Sequence, residues 1–332
     1  MFKIGYRTMK TAIATPVAIY IAQVLHLQNY FSAGILAILC IQSTKKKSVK
    51  AAWSRFSACV IAMLLSTLFF TILGQHPFVI GLVLLIFIPV TVMFKINEGV
   101  VSSSVIILHF LAAPLIDTHL FINEFAIILI GIGVALAMNL YMPSLDRQLL
   151  IYQEKIEGNF RLIFEEIIQY LRTNKNTWDG KEITETAEII EKAKILAFRD
   201  VENRFTTNES FYYSYFKMRE KQFEIIERTL PIITSISSMV EQRMMMADFV
   251  EDLKENIKPK NTALERLKKL YSMQKQIRQM DLPNTREEFE ARATLFQFMR
   301  EIEQYLMIKS NFKVDKNEQK KSLANIKMYP IE

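Results

Sequence analysis

From Phe125 to Met142 the chain is apolar without a break except for Gly131, Gly133 and Asn139. At 1.5 Å per residue such a run is close to the roughly 30 Å hydrocarbon core of a bilayer. Pro143 and Ser144 end it, and from Asp146 onward apolar residues recur every three or four positions between charged ones, the pattern of an amphipathic helix. This hand-over divides the chain into a transmembrane domain over 1–143 and a cytoplasmic helical domain over 144–312. The charged tail over 313–332 is predicted to be disordered. A whole-chain average such as 51% hydrophobic residues mixes two regions of opposite character.

Five earlier apolar runs, Thr11–Leu27, Tyr30–Gln42, Phe56–Leu73, Phe78–Phe94 and Val100–Ile116, bring the expected spans to six. The second is short and must draw on Asn29, Ser43 and Thr44 or be sheltered by its neighbours. Lys3, Arg7 and Lys10 precede the first run as in a signal peptide, but no small-residue cleavage site follows, so a retained span is expected. Orientation follows from charge. With the N-terminus in the cytoplasm, the inner segments carry Lys3, Arg7, Lys10, then Lys45, Lys46, Lys47, Lys50, Arg55, then Lys95, then Arg147. The outer turns carry no lysine or arginine and hold His26, His76, Asp117, His119 and Glu124. A multi-pass plasma-membrane protein with both termini cytoplasmic is expected. The net charge of +7 thus reflects topology rather than a nucleic-acid partner. Cys40 and Cys59 lie in apolar segments and read as buried reduced thiols.

Polar residues inside spans are functional candidates by default, because lipid offers them no solvation. Arg55 begins the third span and Lys95 ends the fourth, both at the inner side. Two readings are open for them: snorkelling anchors that obey the charge rule, or a ring of cations at an inner mouth that selects anions. Ser102, Ser103 and Ser104 enter the fifth span and either bond their own backbone carbonyls or line a pathway. His109, mid-span with no second histidine nearby and no carboxylate in its own helix, is a hydrogen-bonded packing residue, a proton-coupling one or a metal ligand. With Asn139, which interrupts the last span, the residues Arg55, Lys95, Ser102, Ser103 and His109 make up the candidate substrate pathway. Gly131 and Gly133 permit close helix approach.

In the second half, Ser144 to Arg172 carries an apolar stripe of Leu149, Ile156, Phe160, Ile163, Phe164, Ile167 and Leu171. Breakers between Asn174 and Gly180 precede a helix from Ile183 to Phe205, and a third segment runs from Ser210 to Ile257, with Pro231 expected to break or kink it near Leu230. Capping boxes at Thr262 with Glu265 and Thr285 with Glu288 open helices reaching about Met280 and Phe312. No strand pattern competes, so the expected fold class is all-α: a six-helix transmembrane domain followed by a cytoplasmic antiparallel helical bundle. The aromatic run Phe211, Tyr212, Tyr213, Tyr215, Phe216 and the run Met244, Met245, Met246 are expected in the bundle core rather than on a ligand.

There is no GxxxxGK[ST] loop, HExxH, GxSxG elbow or paired CxxC, so no enzyme activity and no cofactor is expected. The stretch NYFSAGILAILCIQSTKKKS followed by Arg55, the last span LIGIGVALAMNLYMP with Gly131, Gly133, Asn139 and Pro143, and the helical second half together resemble the bacterial aromatic acid exporter family. The likeness is to its short branch of six spans and a cytoplasmic helical domain. Family members often carry Arg-x-x-Gly-Thr entering the third span, where this chain has Arg55-Phe56-Ser57-Ala58-Cys59. The resemblance implies efflux of small aromatic carboxylates and, through a distant likeness to plant malate channels, a homodimer. The expected function is export of small organic anions coupled to the proton gradient, since no nucleotide site exists. The expected partners are the lipid bilayer, the anion and a second copy, with no nucleic acid. An anion channel gated by the bundle and a non-transporting scaffold are the alternatives.

Overall fold

The computed structural model describes residues 5–142, 144–175, 178–204, 211–236, 238–258 and 263–312, and every regular element among them is a helix. Helices α1 (Tyr6–Val24), α2 (Phe31–Cys40), α3 (Lys45–Leu73), α4 (Pro77–Met93), α5 (Val100–Ala112) and α6 (Thr118–Leu140) form one compact unit. Helices α7 (Asp146–Thr173), α8 (Lys181–Asn203, counted up to Val201), α9 (Phe211–Thr234), α10 (Glu241–Glu255), α11 (Ala263–Arg278) and α12 (Arg286–Ser310) form a second. The tail over 313–332, Pro143 and the cap expected at Thr262 lie outside the described residues.

Local chemistry sets the helix ends of the first unit. Thr44 Oγ1 accepts from the Lys47 amide at 3.4 Å, Pro77 occupies the first turn of α4, and the Asp117 carboxylate accepts from the Leu120 amide at 2.9 Å. Of these helices, α3 and α6 are long and apolar enough to cross a membrane, whereas α2, α4 and α5 are shorter apolar helices. The ten residues of α2 span about 15 Å, half a hydrocarbon core. Several boundaries differ from expectation, among them the start of α1 at Tyr6, which puts Lys10 inside a helix. Helix α3 begins at Lys45, about three turns before Phe56, because Thr44 caps it and Ser48, Ala51, Ala52 and Arg55 already face inward. Helix α6 begins at Thr118, which puts Glu124 inside a helix instead of in an outer turn.

The first unit is apolar outside and mixed within, the reverse of a water-soluble core. Tyr20, Leu64, Ile72, Leu85 and Leu140 are exposed, while Ser48, Arg55, His109, Asn123, Glu124 and Asn139 are buried. Small residues bring the backbones close. A Cβ on Gly99 would lie 2.4 Å from the Cβ of Ala58 and 2.8 Å from the carbonyl of Ser54, so the glycine lets the turn before α5 sit against α3. A Cβ on Gly131 would lie 2.6 Å from the Ala33 carbonyl, so α6 needs that glycine against α2. Gly133 has nothing within 4 Å and serves no such contact.

The second unit has an ordinary apolar core. Every residue of the expected α7 stripe, from Leu149 to Leu171, is buried in it, with α9, α10 and α12 packed around. Phe211, Tyr212, Tyr215 and Phe216 are in this core, and of the methionine run Met246 is buried while Met244 is exposed. Helix α9 runs through Pro231 to Thr234, so the break falls one turn later than expected; Pro231 itself is exposed. Thr285 accepts from the Glu288 amide at 3.2 Å, and the Glu288 carboxylate accepts from the Asn284 amide at 2.9 Å, closing a reciprocal cap on α12. Arg243 caps the other end of α7. It donates to the carbonyls of Leu171 at 2.7 Å and Tyr170 at 2.6 Å and to Asn174 Oδ1 at 2.9 Å, where Asn174 turns left-handed with φ 60°.

A polar cluster lies inside that core. Tyr215 donates to Glu157 Oε1 at 2.6 Å, Arg219 donates to the Tyr215 oxygen at 2.9 Å and to Gln222 Oε1 at 3.0 Å, and Gln222 donates to the Tyr305 carbonyl at 3.1 Å. Lys309, bonded to the Asn256 carbonyl at 3.1 Å, is pulled down to about 7 by burial and then by the nearby Arg219 charge. An unfolded lysine titrates near 10.4, so between those values the unfolded chain binds more protons and stability rises with pH. Below the folded value the destabilisation is complete; above the unfolded value it is gone. Denaturation followed at several pH values should therefore show wild type gaining up to about 1.4 kcal/mol per pH unit from this group above pH 7. Lys309→Met should lose that slope. Parallel pH curves for the two proteins would show that Lys309 stays charged in the fold.

Candidate functional site

The interior of the first unit holds three polar groups. At one end Lys10 of α1, buried, donates to Asn139 Oδ1 of α6 at 3.3 Å, and Asn139 Nδ2 donates to Ser48 Oγ of α3 at 2.6 Å. Asn139 thus ties three helices and holds a cation with a neutral acceptor. Lys10 also lies 4.8 Å from the ring of Tyr6 and 3.5 Å from Met142 Sδ.

The second group centres on Arg55 of α3. Its side chain is 7% exposed, yet Nε and Nη1 have no hydrogen-bond partner among the described residues, and neither does Ser54 Oγ beside it. Arg55 forms no ion pair among the described residues. The same face of α3 brings Cys59 one turn on, accepting from Ser103 Oγ at 3.5 Å. Ser102 donates to the Gly99 carbonyl at 2.9 Å and Ser104 to that of Val100 at 2.9 Å. The structure therefore spends Ser102 and Ser104 on backbone carbonyls and leaves Ser103 facing a thiol. A guanidinium keeps its charge at any working pH, and burying it with open donors is costly unless an anion completes them. The planar fork suits a carboxylate, which can accept two of its N–H bonds at once.

The third group joins α2, α5 and α6. His109 Nδ1 lies 2.8 Å from Glu124 Oε2 and Nε2 lies 3.1 Å from Ser32 Oγ. Asn123 donates to Glu124 Oε1 at 3.2 Å, and Asn123 Oδ1 accepts from the Gln28 amide at 2.7 Å.

Of the six pathway candidates, Arg55, Ser102, Ser103, His109 and Asn139 are buried. They fall into different groups: Asn139 with Lys10, Ser102 and Ser103 along the Arg55 face of α3, and His109 with Glu124. Lys95 is exposed, just past the end of α4 with a left-handed φ of 58°, and belongs to none of the three groups. Two residues of these groups lie outside the six candidates: Lys10, which reads in sequence as a loop cation, and Glu124, which reads as part of an outer turn. The signal for Glu124 was present: Asp117 followed by Leu120 marks a helix start, and only five residues part α5 from α6, so a histidine and a carboxylate within two turns of that connection can meet.

Both halves of the chain match known sequences. Residues 2–142 match the profile described as "Aromatic acid exporter family member 1", and residues 146–310 match "Putative aromatic acid exporter C-terminal domain". The chain is 60% identical over 313 residues to "Uncharacterized protein YqjA" of Bacillus subtilis (strain 168), covering 94% of this chain and 97% of that one. It is 28% identical over 194 residues to the UPF0421 protein YgaE of the same organism, covering 58% and 53%. It is 24% identical over 241 residues to the UPF0421 protein OB2406 of Oceanobacillus iheyensis, covering 68% and 65%. Two profiles of one exporter family, met in order along a chain whose first half buries Lys10, Arg55 and Glu124 and exposes Leu64, Leu85 and Leu140, identify it as a member of the aromatic acid exporter family.

Proposed function

We propose that the protein exports small organic anions, aromatic carboxylates among them, across the bacterial plasma membrane, driven by the proton gradient. The observation that carries the reading is Arg55, a buried guanidinium with open donors in the interior of the first unit. A carboxylate is its natural complement, and the surrounding α3 face supplies apolar and thiol surface for a ring. Family membership points the same way, toward transport rather than covalent catalysis.

In this reading α1 to α6 cross or enter the bilayer, the lysine-rich start of α3 lies at the cytoplasmic face, and the second unit is cytoplasmic. Ten-residue α2 is then sheltered between α1 and α6, on which it packs. The working form is a homodimer, as the likeness to malate channels implies. Liposomes holding the purified protein test the function. Saturable exchange of a labelled aromatic carboxylate for unlabelled carboxylate on the other side is expected. Voltage-dependent current without saturation would make the protein a channel, and no flux of either kind would leave a scaffold.

A further inference from the structure

The His109 and Glu124 pair takes no part in the anion site at Arg55. Glu124 is fully buried, and its two oxygens meet His109 Nδ1 at 2.8 Å and Asn123 Nδ2 at 3.2 Å. Among the described residues no lysine or arginine pairs with it. With the carboxylate ionised, Nδ1–H donates to Glu124, and Nε2, left with a lone pair, accepts from the Ser32 hydroxyl. With the imidazole neutral, the pair carries one negative charge that no described cation compensates.

We propose that His109 and Glu124 form the proton-binding site that couples export to the proton gradient; this rests on the export reading above. A proton adds to Nε2, forming one N–H bond. The Ser32 hydroxyl rotates and accepts from it, and the pair passes from a charge of minus one to zero. Release reverses the step, and no other bond changes. A polar route reaches the pair from the surface, since Asn123 Nδ2 also donates to the carbonyl of exposed Gln28 at 3.1 Å, in the turn where His26 and Asn29 are left-handed.

The groups around the pair suit this role. Helix α2 presents Ser32 and the ring of Phe31, 6.4 Å from the imidazole. Helix α3 presents Cys59, which accepts from Ser103 of α5, the helix that carries His109. Helix α1 contributes Lys10 only at the far end of α6, tied to Asn139; α4 carries no ionisable residue; and His119, on α6 itself, is exposed.

The test uses full-length protein in liposomes with labelled phthalate, an aromatic carboxylate whose charge keeps it from leaking through lipid. Two modes are compared: exchange without a gradient, and accumulation driven by a pH difference. Glu124→Gln and His109→Gln should each retain exchange within about threefold and lose gradient-driven accumulation, and their exchange should no longer change with pH. A variant that still accumulates phthalate in response to the gradient overturns the proposal. So does equal loss of both modes in both variants, which would make the pair a structural tie. Wild type without exchange would count against the export reading instead, and proton uptake on acidifying the purified protein from about pH 8 to 5 then decides. One proton fewer in Glu124→Gln than in wild type supports the site; equal uptake overturns it.

Discussion

Arg55→Gln should weaken capture of an aromatic carboxylate by about 10- to 150-fold, while Lys95→Gln should leave it within about twofold. Hydrogen bonds to charged groups contribute about 1.5 to 3 kcal/mol, and those of Arg55 are screened by little solvent because the side chain is buried. Lys95 projects from an exposed, left-handed position after α4, where a lone charge in water adds little. Arg55→Lys should fall between, because a point charge restores attraction without the two-pronged geometry. Lys47→Gln supplies the control: an exposed cation near the start of α3 should have a small effect that fades as salt is added. The measurement is half-saturation of exchange in liposomes at equal protein content. Equal, small effects at Arg55, Lys95 and Lys47 would leave Arg55 as a helix anchor and remove the anion site.

The contrast between Arg55 and Lys95 marks where sequence reading stops. Both look alike in the chain, a cation at the inner end of an apolar run, and the charge rule accounts for either. Burial separates them, and burial depends on where α3 begins. Hydropathy puts that start too late, because Ser48, Ser54 and Arg55 interrupt the apolar run, whereas in the fold they lie on the inward face of one continuous helix capped by Thr44. Apolar length is legible because lipid length imposes it, and the amphipathic stripe of α7 is legible because a single core imposes it. Polar residues that face other helices obey neither rule. Lys10, Glu124 and Arg219 each look like solvent-facing charges until Asn139, His109 and Glu157, which lie 129, 15 and 62 residues away, are placed beside them. Likewise Gly131 and Gly133 are equivalent in sequence, and only the approach of Ala33 tells them apart.

The same physics gives Arg219 the largest effect expected on stability. Its side chain is fully buried among Tyr215, Gln222 and Glu157, 3.6 Å from the Glu157 carboxylate and 5.4 Å from the ring of Phe160. Arg219→Met removes the buried cation and leaves the Glu157 carboxylate with the partly exposed Arg161 at 3.8 Å as its remaining ion-pair partner, so the loss should fall toward the lower end of the roughly 3 to 5 kcal/mol seen for broken buried pairs. Glu157→Met strands Arg219 next to Lys309 and should cost a similar amount. Removing both leaves no buried charge from the pair, so Glu157→Met with Arg219→Met should be more stable than the sum of the single losses by about 2 kcal/mol or more. A second signature is independent of the cavity left behind. The Arg219 charge helps hold Lys309 down near 7, so Arg219→Met should let Lys309 titrate at higher pH and move the pH-dependent rise in stability upward with it. Denaturant unfolding followed by circular dichroism reads both quantities. Additive losses with an unmoved pH profile would mean that Arg219 and Glu157 act only as space-filling side chains.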